Sequence, residues 1–144
     1  MTCADVMTSS PTCCQPTQTA VEAAELMQRE DVGLVPVVED ENSLKLIGVL
    51  TDRDIAIKVV AAGRDPRGTA VSEVMTSDPI SCLELDSVES VMELMATHQV
   101  RRIPIVDAEG DIVGIVAQAD IATRLLNPAE TGQVVQAISE PATT

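Results

Sequence analysis

The chain contains no phenylalanine, tyrosine or tryptophan among its 144 residues. Proteins that stack bases on aromatic platforms are excluded by that absence. Any heteroaromatic ring bound here would have to lie between aliphatic side chains and backbone. Positive charge is scarce as well: nine Lys and Arg stand against 23 Asp and Glu, a formal net charge of −14. Nucleic-acid binding depends on neutralising phosphates with basic side chains, so no nucleic-acid partner is expected. One phosphorylated ligand in a locally basic pocket is compatible with the same balance. Long apolar runs are missing; stretches such as IPIV and IGVL are far short of a membrane span, and no membrane insertion is expected. The N-terminal MTCADVMTSS has neither a basic n-region nor an apolar h-region, so a cytoplasmic location is the expectation. There is one histidine, His98, no Gly-rich phosphate loop and no nucleophile–base pair. An enzyme is therefore not expected. His98, at a helix end, is read as a surface residue with no proton-transfer role.

What the chain does have is a core and a repeat. Hydrophobic residues make up 45% of it, enough to bury a real interior. VMTSSPTCC at 6–14 matches VMTSDPISC at 74–82 with a shift of 68, and over 6–39 against 74–107 there are 12 identities in 34 positions. Past a two-residue gap, IGVLTDRDIAIK (47–58) aligns with VGIVAQADIATR (113–124). The gap falls in a polar turn, where length changes are tolerated. The chain is an internal duplication.

Each copy reads β-α-β-β-α. The first strand is short (11–14 and 79–82) and near a proline that a central strand would not accept. A helix follows, capped by Thr19 with Glu22 in the first copy and by Asp86 with Glu89 in the second. Ala20, Ala23, Ala24 and Met27, then Val88, Val91, Met92 and Met95, recur at helical spacing. Strands are predicted at 34–38 and 44–50 around the turn 39–43, and at 102–106 and 112–116 around the turn 107–111. Closing helices are expected over 52–62 and 118–126. The organisation is then repeat 1 at 4–62, a linker at 63–70, repeat 2 at 71–126, and a tail at 127–144. A short helix is expected in the tail from Val134, Val135 and Ile138. A repeat of about 55 residues buries too little surface to stand alone. The predicted fold is therefore α/β, an α+β sandwich of two repeats packed sheet to sheet with pseudo-twofold symmetry. The apolar face of Val91, Met92 and Met95 exceeds what one sheet face needs, which points to a homodimer.

The order [VI]-P-[VI]-V, a hairpin, then G-h-h-T-x-x-D at the head of a helix resembles the cystathionine-β-synthase (CBS) domain. Its duplication over about residues 4–126 is similar to a Bateman module of the stand-alone bacterial type. The resemblance implies a regulatory module that binds AMP, ADP, ATP, S-adenosylmethionine or a related adenosine ligand in the cleft between repeats. It implies no further cofactor, and it favours pairing into dimers. Asp54 is assigned by it to the ribose hydroxyls, and Thr51 to a place beside the ribose or phosphate.

The residues themselves admit a plainer role. Thr51 at a strand end is a natural N-cap, and Asp54 is a first-turn acid favoured by the helix dipole. The second copy departs from the motif, with Ala117 where the hydroxyl belongs and Asp120 retaining the carboxylate. The Thr51/Asp54 site is thus expected to be the stronger. Adenine is expected against Val35 and Pro36 and against Ile103 and Pro104, residues that also suit a sheet core. Arg53 and Lys58 flank the first motif, Arg101 and Arg102 precede the second IPIV strand, and Arg124 aligns with Lys58; these are the candidate phosphate contacts. Arg101 and Arg102 alternate, so one of them should point inward. Cys3, Cys13, Cys14 and Cys82 show no CxxC spacing and read as buried thiols. Two alternatives stand beside nucleotide sensing. One is a metal- or redox-responsive protein using those cysteines, in which a zinc site would need three or four of them to converge. The other is a structural dimer with idle sites. The regulated partner protein is not legible in the sequence.

Overall fold

The computed structural model describes residues 1–124, so the tail at 127–144 and its expected helix lie outside the described residues. The elements in order are α1 (Cys3–Val6), β1 (Thr8–Ser9), α2 (Ala20–Glu30), β2 (Leu34–Val38), β3 (Leu46–Thr51) and α3 (Asp52–Ile55). They continue with α4 (Val71–Val74), β4 (Thr76–Ser77), β5 (Cys82–Leu83), α5 (Val88–His98), β6 (Arg102–Val106), β7 (Ile112–Ala117) and α6 (Gln118–Arg124). The fold is mixed α/β with two sheets, as the pattern of elements predicted.

Helix α2 begins where the sequence says it should. The Thr19 hydroxyl accepts from Glu22 N at 3.2 Å, and Thr19 N donates back to Glu22 Oε1 at 3.3 Å, a reciprocal capping box. In α5 the cap is Ser87 and not the expected Asp86: Ser90 N donates to Ser87 Oγ at 3.2 Å. Asp86 sits one residue too early and instead accepts from Leu83 N at 2.8 Å, closing the turn after β5. Shifting Thr19 by the repeat period of 68 leads to Ser87, so the signal was present. Both helices end on a left-handed residue, Asp31 (φ 54) and Gln99 (φ 54), which releases the chain toward β2 and β6.

Strands β2 and β6 occupy the predicted ranges, while β3 starts two residues later than expected. The expected strand at 11–14 reduces to a parallel bridge of Cys14 to Val37, carried by Cys14 N donating to Pro36 O and Val38 N to Cys14 O, each at 2.9 Å. Its counterpart β5 is a two-residue parallel partner of β6. The sheets run β2-β3-β4 and β1-β7-β6-β5. The helix expected over 52–62 is present but changes register. After α3 comes a π-helical turn, Ala56–Val60, with Ala61 N reaching Ala56 O and Arg64 N reaching Val59 O at 2.9 Å.

Two compact units form. One comprises residues 11–79 with 109–112; the other comprises, among the described residues, 1–10, 80–108 and 113–124. Each copy's sheet is thus completed by the segment that leads into the other copy. The lead-in elements α1, β1, α4 and β4 had no counterpart in the sequence reading. In the first unit Cys14, Ala20, Ala23, Leu26, Met27, Val35, Val37, Leu50, Val59, Val71 and Val74 share one core. In the second, Cys3 and Val6 of α1 pack with Val91, Met92, Met95, Ile103, Ile105, Val116 and Ile121. The apolar surplus on α5 is therefore covered by the chain's own N-terminal helix, and it is no argument for a dimer.

Close approach of β4 to β3 requires glycine. A Cβ at Gly48 would lie 2.8 Å from Met75 Sδ and 2.9 Å from the Thr76 carbonyl oxygen, where β4 pairs with β3 through Gly48–Ser77 and Val49–Thr76. Gly114 meets Met7 and the Thr8 carbonyl in the same way. The sulfur can move but the paired carbonyl cannot without opening the ladder. Gly48→Ala is expected to cost about 1–3 kcal/mol, the usual range for overpacking, read as a lower midpoint in urea unfolding. An unchanged midpoint would show that the strand yields freely.

Candidate functional site

The first motif sits where β3 turns into α3. Thr51 is extended (φ −112, ψ 161) and serves as N-cap: Asp54 N donates to Thr51 Oγ1 at 3.1 Å, and Thr51 N donates to Asp54 Oδ2 at 3.0 Å. Each satisfies a backbone donor that the helix start would otherwise orphan. The plainer role of these residues is thus realised in full. It leaves chemistry unused. The Thr51 hydroxyl accepts here and keeps its proton to donate. Asp54 Oδ1 receives Lys58 Nζ at 3.1 Å, and the Asp54 side chain is 14% exposed.

Lys58 does not hang free over a phosphate position. Its ammonium also donates to the carbonyl of Val74, the last residue of α4, at 3.1 Å. Arg53 is exposed, and its backbone N–H donates to the Asp52 carboxylate at 2.8 Å.

Strand register decides which side chains share a face with Thr51. Leu34 pairs with Thr51, Val35 with Leu50 and Pro36 with Val49. Because alternate residues face opposite sides, Leu34, Pro36, Val49 and Thr51 lie on one face and Val35, Leu50 and Val37 on the other. Val35 is wholly buried in the first unit's core, and Ile103 holds the equivalent place in the second. Of the four residues expected against adenine, Pro36 and Pro104 therefore stand on the motif's face, and Val35 and Ile103 do not. Leu34 and Val49 were missed, although counting back in twos from Thr51 would have found Val49. By the same alternation Arg102 shares its face with Pro104. Arg101 and Arg102 are both exposed, and the Arg101 carbonyl accepts from Gln118 N at 2.7 Å at the start of α6.

In the second motif Asp120 Oδ2 accepts from Ala117 N at 3.1 Å, half of the capping box, and Ala117 has no oxygen to supply the other half. Arg124 Nη1 donates to the Asp5 carbonyl at 2.9 Å. Arg124 thus ties down α1 much as Lys58 ties down α4.

The cysteines are free thiols; Cys3, Cys14 and Cys82 are buried and Cys13 is half-buried. Burial pushes Cys3 up to about 11, helped by Cys82 and Asp86 nearby, and Cys13 up to about 11. Cys14 rises to about 12 through burial and the neighbouring Cys13, and Cys82 rises through burial and Asp86. Among the described residues, no group of three or more His, Cys, Asp or Glu is placed to hold a metal ion, and no helix is long and apolar enough to cross a membrane.

The model of the CBS domain family matches residues 3–61 and 71–127. The CBS domain-containing protein YhcV of Bacillus subtilis is 45% identical over 135 residues, 94% of this chain and 93% of YhcV. Hypoxic response protein 1 of Mycobacterium tuberculosis is 40% identical over 141 residues, 97% of this chain and 95% of that protein. Among solved structures, Hypoxic Response Protein I with two coordinated zinc ions has a TM-score of 0.78 at 38% identity, covering 87% of this chain and 99% of that one. CBSX2 in complex with AMP follows with a TM-score of 0.73, 26% identity and coverage of 85% and 93%. The CBS domain pair of protein MJ0100 with 5′-methylthioadenosine and S-adenosyl-L-methionine has a TM-score of 0.76, 28% identity and coverage of 85% and 94%. Two matched domains fill most of the chain, and YhcV and Hypoxic response protein 1 are hardly longer than that pair. The chain belongs to the CBS domain family, as a tandem pair.

Proposed function

We propose that this CBS pair is a regulatory module that binds an adenosine-containing ligand at the Thr51–Asp54 junction, and that it is not an enzyme. The observation that carries the reading is a largely buried carboxylate held at a strand end with acceptor capacity to spare. A carboxylate offers about four lone-pair sites. Asp54 uses one for Thr51 N and one for Lys58, which leaves two for a pair of vicinal ribose hydroxyls. The structures of CBSX2 with AMP and of the MJ0100 pair with 5′-methylthioadenosine and S-adenosyl-L-methionine support an adenosine-containing ligand. Leu34, Pro36 and Val49 are the aliphatic side chains on the face of Thr51, and each is buried; in a chain without aromatic rings an adenine would have to pack against their edges. The Asp120 junction lacks the Thr hydroxyl, and one lost hydrogen bond corresponds to about two- to tenfold in affinity.

Calorimetric titration with AMP, ADP, ATP and S-adenosylmethionine tests the proposal, since there is no intrinsic aromatic fluorescence to follow. Heat is expected with at least one of them, and Asp54→Asn should weaken binding more than Asp120→Asn does. Absence of heat and of any thermal shift at millimolar ligand would sink it. Unchanged binding in Asp54→Asn would put the ligand elsewhere than this junction, and no binding at all would favour a structural pair with idle sites.

Zinc in the Hypoxic Response Protein I structure revives the metal or redox reading, but here burial holds the thiols protonated. Folding favours the neutral thiol, so this contribution to stability is whole below about pH 9 and is lost as pH rises through 11 to 12. At pH 8 the native protein should be alkylated far more slowly than the urea-unfolded chain. Rapid native alkylation, or stoichiometric zinc in the purified protein, would favour the thiol reading instead.

Homodimer formation belongs to the same proposal. Ile57 and Val60, 53% and 69% exposed on the π-helical turn, are apolar surface that a second copy would cover. Sedimentation velocity should give a dimer; a monomer at every concentration would remove this part.

A further inference from the structure

We propose that Lys58 is a positioning residue for the Asp54 carboxylate, tying it to helix α4, and is not a phosphate contact. The proposal rests on the Thr51–Asp54 junction being the ligand site. An ammonium has three N–H donors. Two of them are engaged, with Asp54 Oδ1 at 3.1 Å and the Val74 carbonyl at 3.1 Å. Val74 ends α4, and its carbonyl has no onward helical partner, so Lys58 satisfies an acceptor the fold itself leaves open. With Thr51 N on Oδ2 and Lys58 on Oδ1, both carboxylate oxygens are clamped, and the unused lone pairs are held in one direction.

The second copy separates the two tasks of this cation. Arg124 keeps the tether, donating to the Asp5 carbonyl of α1 at 2.9 Å. Among the described residues Asp120 has the Ala117 N–H and no ion-pair partner. Among the described residues the duplication therefore preserves the tie to the lead-in helix in both copies and the clamp on the carboxylate in the first alone. Lys58 also lies inside the π-helical turn Ala56–Val60, a local departure from regular helix that often accompanies functional positions. Inequality between the junctions thus has a second source besides Thr51 against Ala117.

The test titrates adenosine and AMP into the full chain carrying Asp120→Asn, so that the first junction is read alone, with and without Lys58→Met or Lys58→Arg. A positioning residue predicts that Lys58→Met weakens adenosine and AMP by the same factor, about two- to fivefold. Lys58→Arg, which can still bridge the two acceptors, should recover most of it. Hydrogen exchange over 71–77 should quicken in Lys58→Met. Loss confined to AMP would overturn the proposal in favour of a phosphate contact, and no loss for either ligand would show the bridge to be idle. General destabilisation is separable, because Lys58→Met in an Asp54→Asn chain, where the Asp120 junction is read alone, would then weaken binding as well. Failure of the unsubstituted chain to bind either probe would overturn the ligand reading itself, and is visible before any variant is made.

Discussion

The absence of a side chain at Gly48 lets β4 lie against β3 with Met75 and the Thr76 carbonyl within 3 Å of where a Cβ would be. Much of the first unit follows from that approach. It sets the position of α4, whose Val71 and Val74 enter the core and whose last carbonyl meets Lys58. Lys58 in turn holds Asp54, and Asp54 holds Thr51 at the start of α3. A packing constraint in a sheet is thus linked, through three polar contacts, to the geometry of a candidate ligand site.

Structural and functional readings of Thr51 and Asp54 do not compete. The bonds that satisfy the first helical N–H groups also aim the carboxylate, because a capping box fixes both side chains relative to the backbone. Two bonds do not exhaust a carboxylate, and a hydroxyl that accepts can still donate. A site built on a cap is therefore inexpensive in stability: the folding interaction orients the groups before any ligand arrives.

Comparing the two copies separates what the fold demands from what is free to differ. Gly48 and Gly114, Met75 and Met7, and the left-handed residues Asp31 and Gln99 are kept in matching places with matching geometry. So is a long basic side chain tied to the lead-in helix, Lys58 in one copy and Arg124 in the other. At the junction the copies differ in Thr51 against Ala117 and, among the described residues, in the clamp on Asp54 that Asp120 lacks. The glycines that permit sheet closure are kept in both copies, while the junction where a ligand would be read is not.

The sequence by itself determined the duplication, the α/β class, the ranges of β2 and β6 and the cap at Thr19. Each of these depends on residues within a few positions of one another, or on one copy repeating another. It also pointed to Thr51 as the N-cap of the helix beginning at Asp52 and to Asp54 as an acid in its first turn, while the reciprocal bonds between them came from the structure. The tertiary structure alone decided that residues 1–10 and 71–79 complete the sheet of the opposite copy, because pairing between distant segments leaves no local period. For the same reason the covering of Val91, Met92 and Met95 by α1 could not be foreseen. Strand register, set by a partner strand, moved Val35 and Ile103 into the cores and brought Leu34 and Val49 to the motif's face. The π-helical turn and the reach of Lys58 to Val74 belong there too: a side chain's partner 16 residues away is chosen by packing, and no spacing rule encodes it.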